Sequence, residues 1–182
     1  MDLRGSLLIA VPALYEPNFY RTTVLVCDHD DEGSLGLVLN RPTEAPVAEY
    51  LPGWDEYLAD PPVVFVGGPV SPETAVGLAR LHDPEPFEGW TPIAGSLGLL
   101  DLSLAVDAVP AHIATLRVFS GYAGWGPGQL DAELDEDGWF VVSAADEDPF
   151  RPDAADLWRG ALRRQSTRLR LYADFPPHPS YN

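Results

Sequence analysis

The chain has 182 residues, 46% of them apolar, and a net charge of −17 from 28 acidic against 11 basic side chains. That length suits one domain burying roughly 70% of its unfolded surface, and the charge argues against nucleic-acid and anionic-membrane partners. Every basic residue is arginine, and the missing lysine excludes Schiff-base catalysis, pyridoxal phosphate anchoring and the Walker-type phosphate lysine.

The first residues, MDLRGSLLIAVP, lack the basic start and small-residue cleavage site of a signal peptide. Residues 7–11 (LLIAV) read instead as a buried strand stopped by Pro12, and the expected location is the cytoplasm. No apolar run approaches the roughly 20 residues of a membrane span. Residues 22–27 (TTVLVC) form a second strand ending in the lone Cys27, expected to be a buried, reduced thiol. The polar turn at 28–33 (DHDDEG) and a third strand at 34–39 (SLGLVL) complete a hairpin, closed by Asn40 and Pro42.

Farther on, a short helix is expected around residues 47–51, and Trp54, Tyr57 and Leu58 cover a sheet edge. Residues 63–66 (VVFV) are a short buried strand turned by Gly67-Gly68-Pro69. Residues 75–81 fit a strand or a helical turn, and 83–92 a Pro/Glu-rich loop. A strand is expected over 93–100 and a short helix over 102–109, ended by Pro110. Residues 116–120 lead into a glycine-rich turn at 121–128, followed by a helix over 127–134 and a strand over 139–143. The longest helix is expected at 153–164. The pentapeptide GSLGL occurs at 33–37 and 95–99 with flanks that do not match, which reads as coincidence. Interleaved strands and helices indicate an α/β fold, with α+β as the alternative, in one domain over residues 1–174 followed by a Pro-rich tail at 175–182.

The densest chemistry lies in residues 121–134 (GYAGWGPGQLDAEL). A glycine turn opening a helix has the layout of an anion-binding loop. Pro127 suits the first helical position, and Asp131 and Glu133 complement the helix start. The spacing is neither GxxxxGK[ST] nor GxGxxG, however, and acids in the first turn repel phosphate. The segment is therefore expected to be a structural corner in which Tyr122 and Trp125 pack, a ligand-binding loop being the other reading. The candidate binding residues are Tyr122, Trp125, Gly126 and Gln129, with Gly67 and Gly68 from the earlier turn and Asp28 and His29 from the acidic hairpin.

Other chemistries fare less well. Residues 28–32 match the early positions of an EF-hand, but the twelfth position is Leu39 and the flanks read as strands. His29, His82, His112 and His178 show no zinc-ligand spacing, so no metal or cofactor is expected. The glycine-flanked Ser34 and Ser96 lack the preceding glycine of a nucleophile elbow. Arg159, Arg163, Arg164, Arg168 and Arg170 line the outer face and end of the last helix, opposite Trp158, Ala161, Leu162 and Gln165. There they complement the helix dipole and the acidic body.

In chain order, LLIAVP at 7–12, Phe19, Arg21, Cys27-Asp28-His29, Gly33, GLVLNRP at 36–42, GGPV at 67–70, GYAGWGPGQL at 121–130, Glu133 and Trp139 resemble the AlgH/YqgE-like family of mostly uncharacterised bacterial proteins. The resemblance implies a compact single domain with a mixed, coiled, partly barrel-like sheet and flanking helices. It also implies the transcriptional-regulator label that some members carry. Where the family often has Asp-Arg-Gly-Phe-Val-Leu-His after GGPV, this chain has SPETAVGL at 71–78, and its arginine-rich end and Pro-rich tail also stand apart. The expected function is a cytoplasmic, non-enzymatic binding or regulatory protein that recognises a protein partner or small ligand near Tyr122, Trp125 and Gln129. A hydrolase using carboxylates and His29 as acid–base groups is the alternative. The oligomeric state is left open.

Overall fold

Leucine- and valine-rich runs broken by Gly, Pro and Asp turns pair almost entirely with strands of opposite direction. The computed structural model describes residues 2–109 and 112–177; Pro110, His178 and the rest of the tail beyond residue 177 lie outside them. Among the described residues there are ten strands: β1 (Ser6–Ala10), β2 (Thr23–Asp30), β3 (Gly33–Val38), β4 (Pro42–Pro46), β5 (Val63–Val66), β6 (Val70–Leu81), β7 (Trp90–Ala94), β8 (Leu97–Leu100), β9 (Ile113–Trp125) and β10 (Trp139–Ser143). The main path runs β10-β1-β2-β3-β9-β6-β8-β7, with β4 paired to β5 and β5 to β9. Among these ten strands β5 and β9 are the one parallel pair, at Phe65–Phe119 and Val66–Ser120, and an isolated parallel bridge joins Leu58 to Leu116. The two ends of the path, β10 and β7, do not pair, so the sheet is mixed and open rather than a closed barrel.

Among the described residues the three short α-helices, α1 (Gln129–Asp135), α2 (Leu157–Arg163) and α3 (Thr167–Arg170), all follow β9, and only α1 lies between two strands. The architecture is therefore sheet-rich α+β, not α/β. Several elements depart from the sequence pattern. Residues 121–125 are not a turn but the end of β9, and residues 93–100 fold as parts of the β7–β8 hairpin. The helix expected at 102–109 shrinks to a 3-10 turn at Val106–Ala108, and the one at 47–51 to Val47–Glu49. Residues 75–81 belong to a strand that begins at Val70 and bulges between Val70 and Ala75 against β9. Apolar content alone does not separate a strand buried on both faces from a short buried helix.

Alternation along the central strands divides the interior. Leu7, Ile9, Leu25, Cys27, Leu37 and Leu39 face Phe65, Phe119 and the α2 side chains Leu157, Trp158, Ala161 and Leu162. Leu8, Ala10, Val24, Val26 and Val38 face the other way, toward Ala123, Trp125, Leu130 and Trp139. A third cluster gathers Trp54, Trp90, Leu116 and Val118 under β6, β8 and β9, and Tyr57 and Leu58 pack against it. The two GSLGL copies sit in corresponding places, each starting the second strand of a hairpin that lies against β9 or β6. A Cβ on Gly36 would meet Val24 at 2.6 Å and Trp125 at 3.3 Å; one on Gly98 would meet Trp90 at 2.5 Å. Both glycines leave room for a tryptophan laid across the strand.

Two charged groups lock the periphery to this core. Arg117 of β9 is only 2% exposed. It donates to the carbonyls of Asp60 (2.6 Å), Pro149 (3.2 Å) and Arg151 (3.2 Å), and its guanidinium lies 4.2 Å from the centroid of the Phe65 ring. Burial pulls its pKa down to about 10. Asp148, fully buried, accepts the Ala145 N–H and a two-pronged contact from Arg164. Two of the other C-terminal arginines also find acidic partners: Arg163 pairs with Asp174, and Arg159 with Asp156, Arg159 donating besides to the Ala173 carbonyl. Replacing Arg117 by Met keeps the apolar volume but orphans three carbonyls, and should lower stability by about 3 kcal/mol in urea unfolding.

Candidate functional site

β9 delivers Trp125 to the end of the sheet, and the chain then turns through Gly126-Pro127-Gly128 into α1. Gly128 takes φ +68, the left-handed value glycine adopts without strain, at the residue preceding the helix. Gln129 closes the turn by accepting the Gly126 N–H at 3.1 Å. One helical turn on, Glu133 becomes the hub. Its Oε2 accepts the indole N–H of Trp125 at 3.0 Å and of Trp139 at 2.9 Å, while Oε1 accepts the Gln129 side-chain amide at 3.0 Å. A single carboxylate thus ties the end of β9, the first residues of α1 and the start of β10.

These residues form one wall of a cleft of about 590 Å³, whose other wall is the connection after β1, with Leu14, Glu16, Asn18 and Phe19. Phe19 stacks on Trp125 (6.2 Å between centroids) and meets Trp139 edge-on at 5.5 Å. Trp125 and Trp139 meet at 6.2 Å and 79°. With rings this close, the three aromatics form a packed layer at the base of the cleft and not a cage, Trp125 and Trp139 each being only 5% exposed. Glu136 and Asp137 stand on the same side as α1, opposite Glu16.

The sequence candidates divide among several places. Trp125 and Gln129 line the cleft, and Gly126 supplies the N–H that holds Gln129. Tyr122 is three residues before Trp125 on a strand, so it points to the opposite face and packs with the Phe65–Phe119 cluster. Gly67 and Gly68 press on backbone: a Cβ would fall 2.2 Å from the Gly121 carbonyl oxygen and 2.1 Å from the Tyr122 carbonyl carbon, respectively. His29 lies in a separate depression of about 460 Å³ with Asp2, Arg4, Asp30, Asp31, Gly128 and Asp131. Its Nδ1 is 2.8 Å from Ser34 Oγ across the β2–β3 pair. The Asp28 carboxylate accepts the His29 backbone N–H at 3.0 Å rather than the ring. Among the described residues no group of three or more His, Cys, Asp or Glu is arranged to hold a metal ion.

Glu16, Glu136 and Asp137 escaped the sequence argument. Each looks like ordinary solvated charge, and nothing local signals that residues 11–19 face residues 124–139. Phe19 and Trp139 entered only as carriers of the resemblance. A further cavity of about 520 Å³ lies over β5, β9 and the β6 bulge, lined by Val64, Val66, Ala75, Val118 and Ser120, with Glu73 its one charged residue and Tyr50 at its edge. No helix among the described residues is long and apolar enough to cross a membrane.

Two outcomes follow from these contacts. Glu133→Gln leaves one oxygen where two served, and should cost about 1–3 kcal/mol of stability in denaturant unfolding. Cys27 is 2% exposed, and burial drives its thiol above the ordinary cysteine range. It should resist iodoacetamide in the native protein and alkylate fully in guanidinium, as read by mass spectrometry.

Comparison with known proteins agrees with the residue patterns. The family model described as AlgH-like, DUF179, matches residues 7–170. A UPF0301 protein of Streptomyces avermitilis is 47% identical over 186 residues, covering 100% of this chain and 96% of its own length. One from Mycobacterium tuberculosis is 41% identical over 181 residues, covering 98% and 90%. Among solved structures, a Corynebacterium diphtheriae protein superposes with a TM-score of 0.88 at 27% identity, covering 96% of this chain and 93% of its own. The AlgH protein of Pseudomonas aeruginosa superposes with a TM-score of 0.70 at 28% identity, covering 98% and 96%. The chain belongs to the AlgH-like family of bacterial proteins.

Proposed function

We propose that this protein is a non-enzymatic cytoplasmic binding module, and that the cleft between the β1–β2 connection and α1 is where its ligand enters. The observation that carries this reading is the Glu133 hub. Three N–H donors from separate elements converge on one carboxylate and fix an aromatic floor beneath an open cleft of about 590 Å³. A volume in the hundreds of cubic ångströms, an apolar floor and a few convergent polar groups are the usual make-up of a small-ligand site. Side chains already locked by hydrogen bonds lose little entropy when a ligand arrives. Any regulatory role is assigned to ligand or partner capture, because a net charge of −17 opposes direct contact with a nucleic-acid backbone.

A second reading, hydrolysis, rests on the 2.8 Å contact of His29 with Ser34. It is the weaker of the two, since Asp28 bonds to the His29 backbone instead of orienting its ring.

The indole N–H signals of Trp125 and Trp139 report on the cleft directly. In ¹H–¹⁵N spectra of the full chain against a metabolite library of mixed charge, a binder should move these two signals before those of Trp54, Trp90 and Trp158. Hits that move only Val118 and Ser120 would transfer the site to the other cavity. Ester or phosphoester turnover lost in His29→Ala would replace the binding reading with the hydrolytic one.

A further inference from the structure

A strand with one neighbour leaves every second N–H and C=O without a ladder partner, and a fold must blunt that row or use it. Among the described residues three strands have a single partner: β4, β7 and β10. Two of them are blunted. In β7 the Asp101 N–H donates to the Gly89 carbonyl, so Gly89 and Thr91 turn toward β8 while Trp90 and Pro92 turn away. The Trp90 N–H is taken by the Phe87 carbonyl, and a proline has none to offer. β4 begins and ends on Pro42 and Pro46, and its Ala45 N–H goes to Thr43 Oγ1 at 3.1 Å.

β10 carries no such block. The Val11 N–H donates to the Gly138 carbonyl at 3.3 Å, one step beyond the Ala10–Trp139 pair of the β1–β10 register. Hydrogen-bonded pairs alternate along an antiparallel ladder, so Phe140 and Val142 bond to β1. Trp139, Val141 and Ser143 therefore turn their N–H and C=O outward, and none of these groups finds a partner among the described residues. The strand, WFVVS, has neither proline nor charge, and Val141 at its centre is 41% exposed. The apolar surface continues on the Phe140 face. There the ring of Tyr172 lies 5.0 Å from that of Phe140, and Tyr172 is exposed together with Leu171 and Phe175.

We propose that β10 is a docking edge that takes an extended segment of another protein as an added strand. Outward N–H and C=O pairs recur every second residue, about 7 Å apart, a spacing that a polypeptide backbone matches and a compact small molecule does not. Val141 and the Phe140–Tyr172 surface supply contacts for alternate apolar side chains of that segment. Charge argues against a second copy in this place. A two-fold antiparallel pairing about Val141 would set Glu136 of one copy opposite Asp146 of the other, and Asp135 opposite Glu147, on bodies that each carry −17. The segment is instead one with arginine or lysine at its ends. Arg80 reaches the far end of the strand, but it donates to the Asp146 carbonyl and leaves that carboxylate free of it. The edge is also separate from the cleft: Trp139 gives its indole to Glu133 and its backbone to the edge.

Amide hydrogen exchange of the full chain, followed by NMR, tests this directly. Without additions, Val141 should exchange freely while Phe140 and Val142 are protected. The peptide acetyl-Arg-Val-Thr-Val-Thr-Val-Arg-amide, at ten times its Kd, should slow Val141 exchange about tenfold. A twin with Pro-Pro in place of the central Thr-Val keeps the charge but loses N–H donors on both edges, and should leave Val141 unchanged. A twin with Glu at both ends should bind about tenfold more weakly at low salt. Equal binding of the proline twin, or protection that falls outside Trp139, Val141 and Ser143, would overturn the inference. Equal binding of the Glu-ended twin would remove the basic-ended partner. Protection of Val141 without any peptide would also overturn it: if it grows with protein concentration the edge belongs to a second copy, and if it does not, to the chain itself. Ligands that move only the cleft indoles leave Val141 exchange as it was, so the two sites succeed or fail separately.

Discussion

Four stretches of backbone come within touching distance where Gly67 and Gly68 cross Gly121 and Tyr122, and the arrangement of the sheet depends on that approach. β9 has β6 along one edge, while the other edge is shared, first by β5 at Phe119 and Ser120 and then by β3 from Ala123 to Trp125. The hand-over takes place at Gly67, which donates its N–H to the Ser120 carbonyl and accepts the Val38 N–H. A Cβ on Gly121 would lie 2.7 Å from the carbonyl oxygens of both Gly68 and Val70, and Gly121 holds φ +67. Side chains at these positions would push apart strands that must share one partner. The GGP and GYAG motifs are thus two halves of a single contact.

That contact also decides what β9 can present. Gly121, at φ +67, shifts the alternation inside the strand, so that Tyr122 packs with the same cluster as Phe119 three residues before it. Tyr122 is committed to the core behind Phe65, and Trp125 to the opposite face beside Phe19 and Trp139. The cleft then needs only the short α1 helix to bring Glu133 beneath the two indoles. Sheet geometry and site geometry are therefore linked through one strand, and the glycines that build the crossing help position the aromatic floor from a distance.

Charge is handled differently in the interior and at the surface. The buried Arg117 turns its two terminal nitrogens to backbone carbonyls and lies over the face of Phe65, its Nε alone lacking a hydrogen-bond partner, and the buried Asp148 is held by Arg164. A buried charge left alone costs far more than one that is paired or solvated, and these two are enclosed by partners. The acids around the cleft instead keep their negative potential toward solvent.

Much of this was legible in the sequence. Short apolar runs bounded by Gly, Pro and Asp locate β1, β3, β5 and β10 almost to the residue, because a strand buried on both faces needs such a run whatever its neighbours are, whereas β2 runs on through Asp28, His29 and Asp30, which the sequence pattern reads as turn. The stripe of Trp158, Ala161 and Leu162 likewise marks the buried side of α2. The sequence also places Trp125 and Gln129 at a conspicuous corner, and the absence of lysine restricts its chemistry. What only the tertiary structure decides is which distant segments meet. Glycines at 121 and 124 suggest a turn until β3, β5 and β6 are seen holding them in a strand. Phe19 and Glu16 become cleft residues only through contacts across more than a hundred positions. Local preference chooses between helix, strand and turn at a given residue; the pairing of strands far apart in the chain overrules that preference wherever its hydrogen bonds and buried area outweigh it, and the cleft forms where such pairing ends.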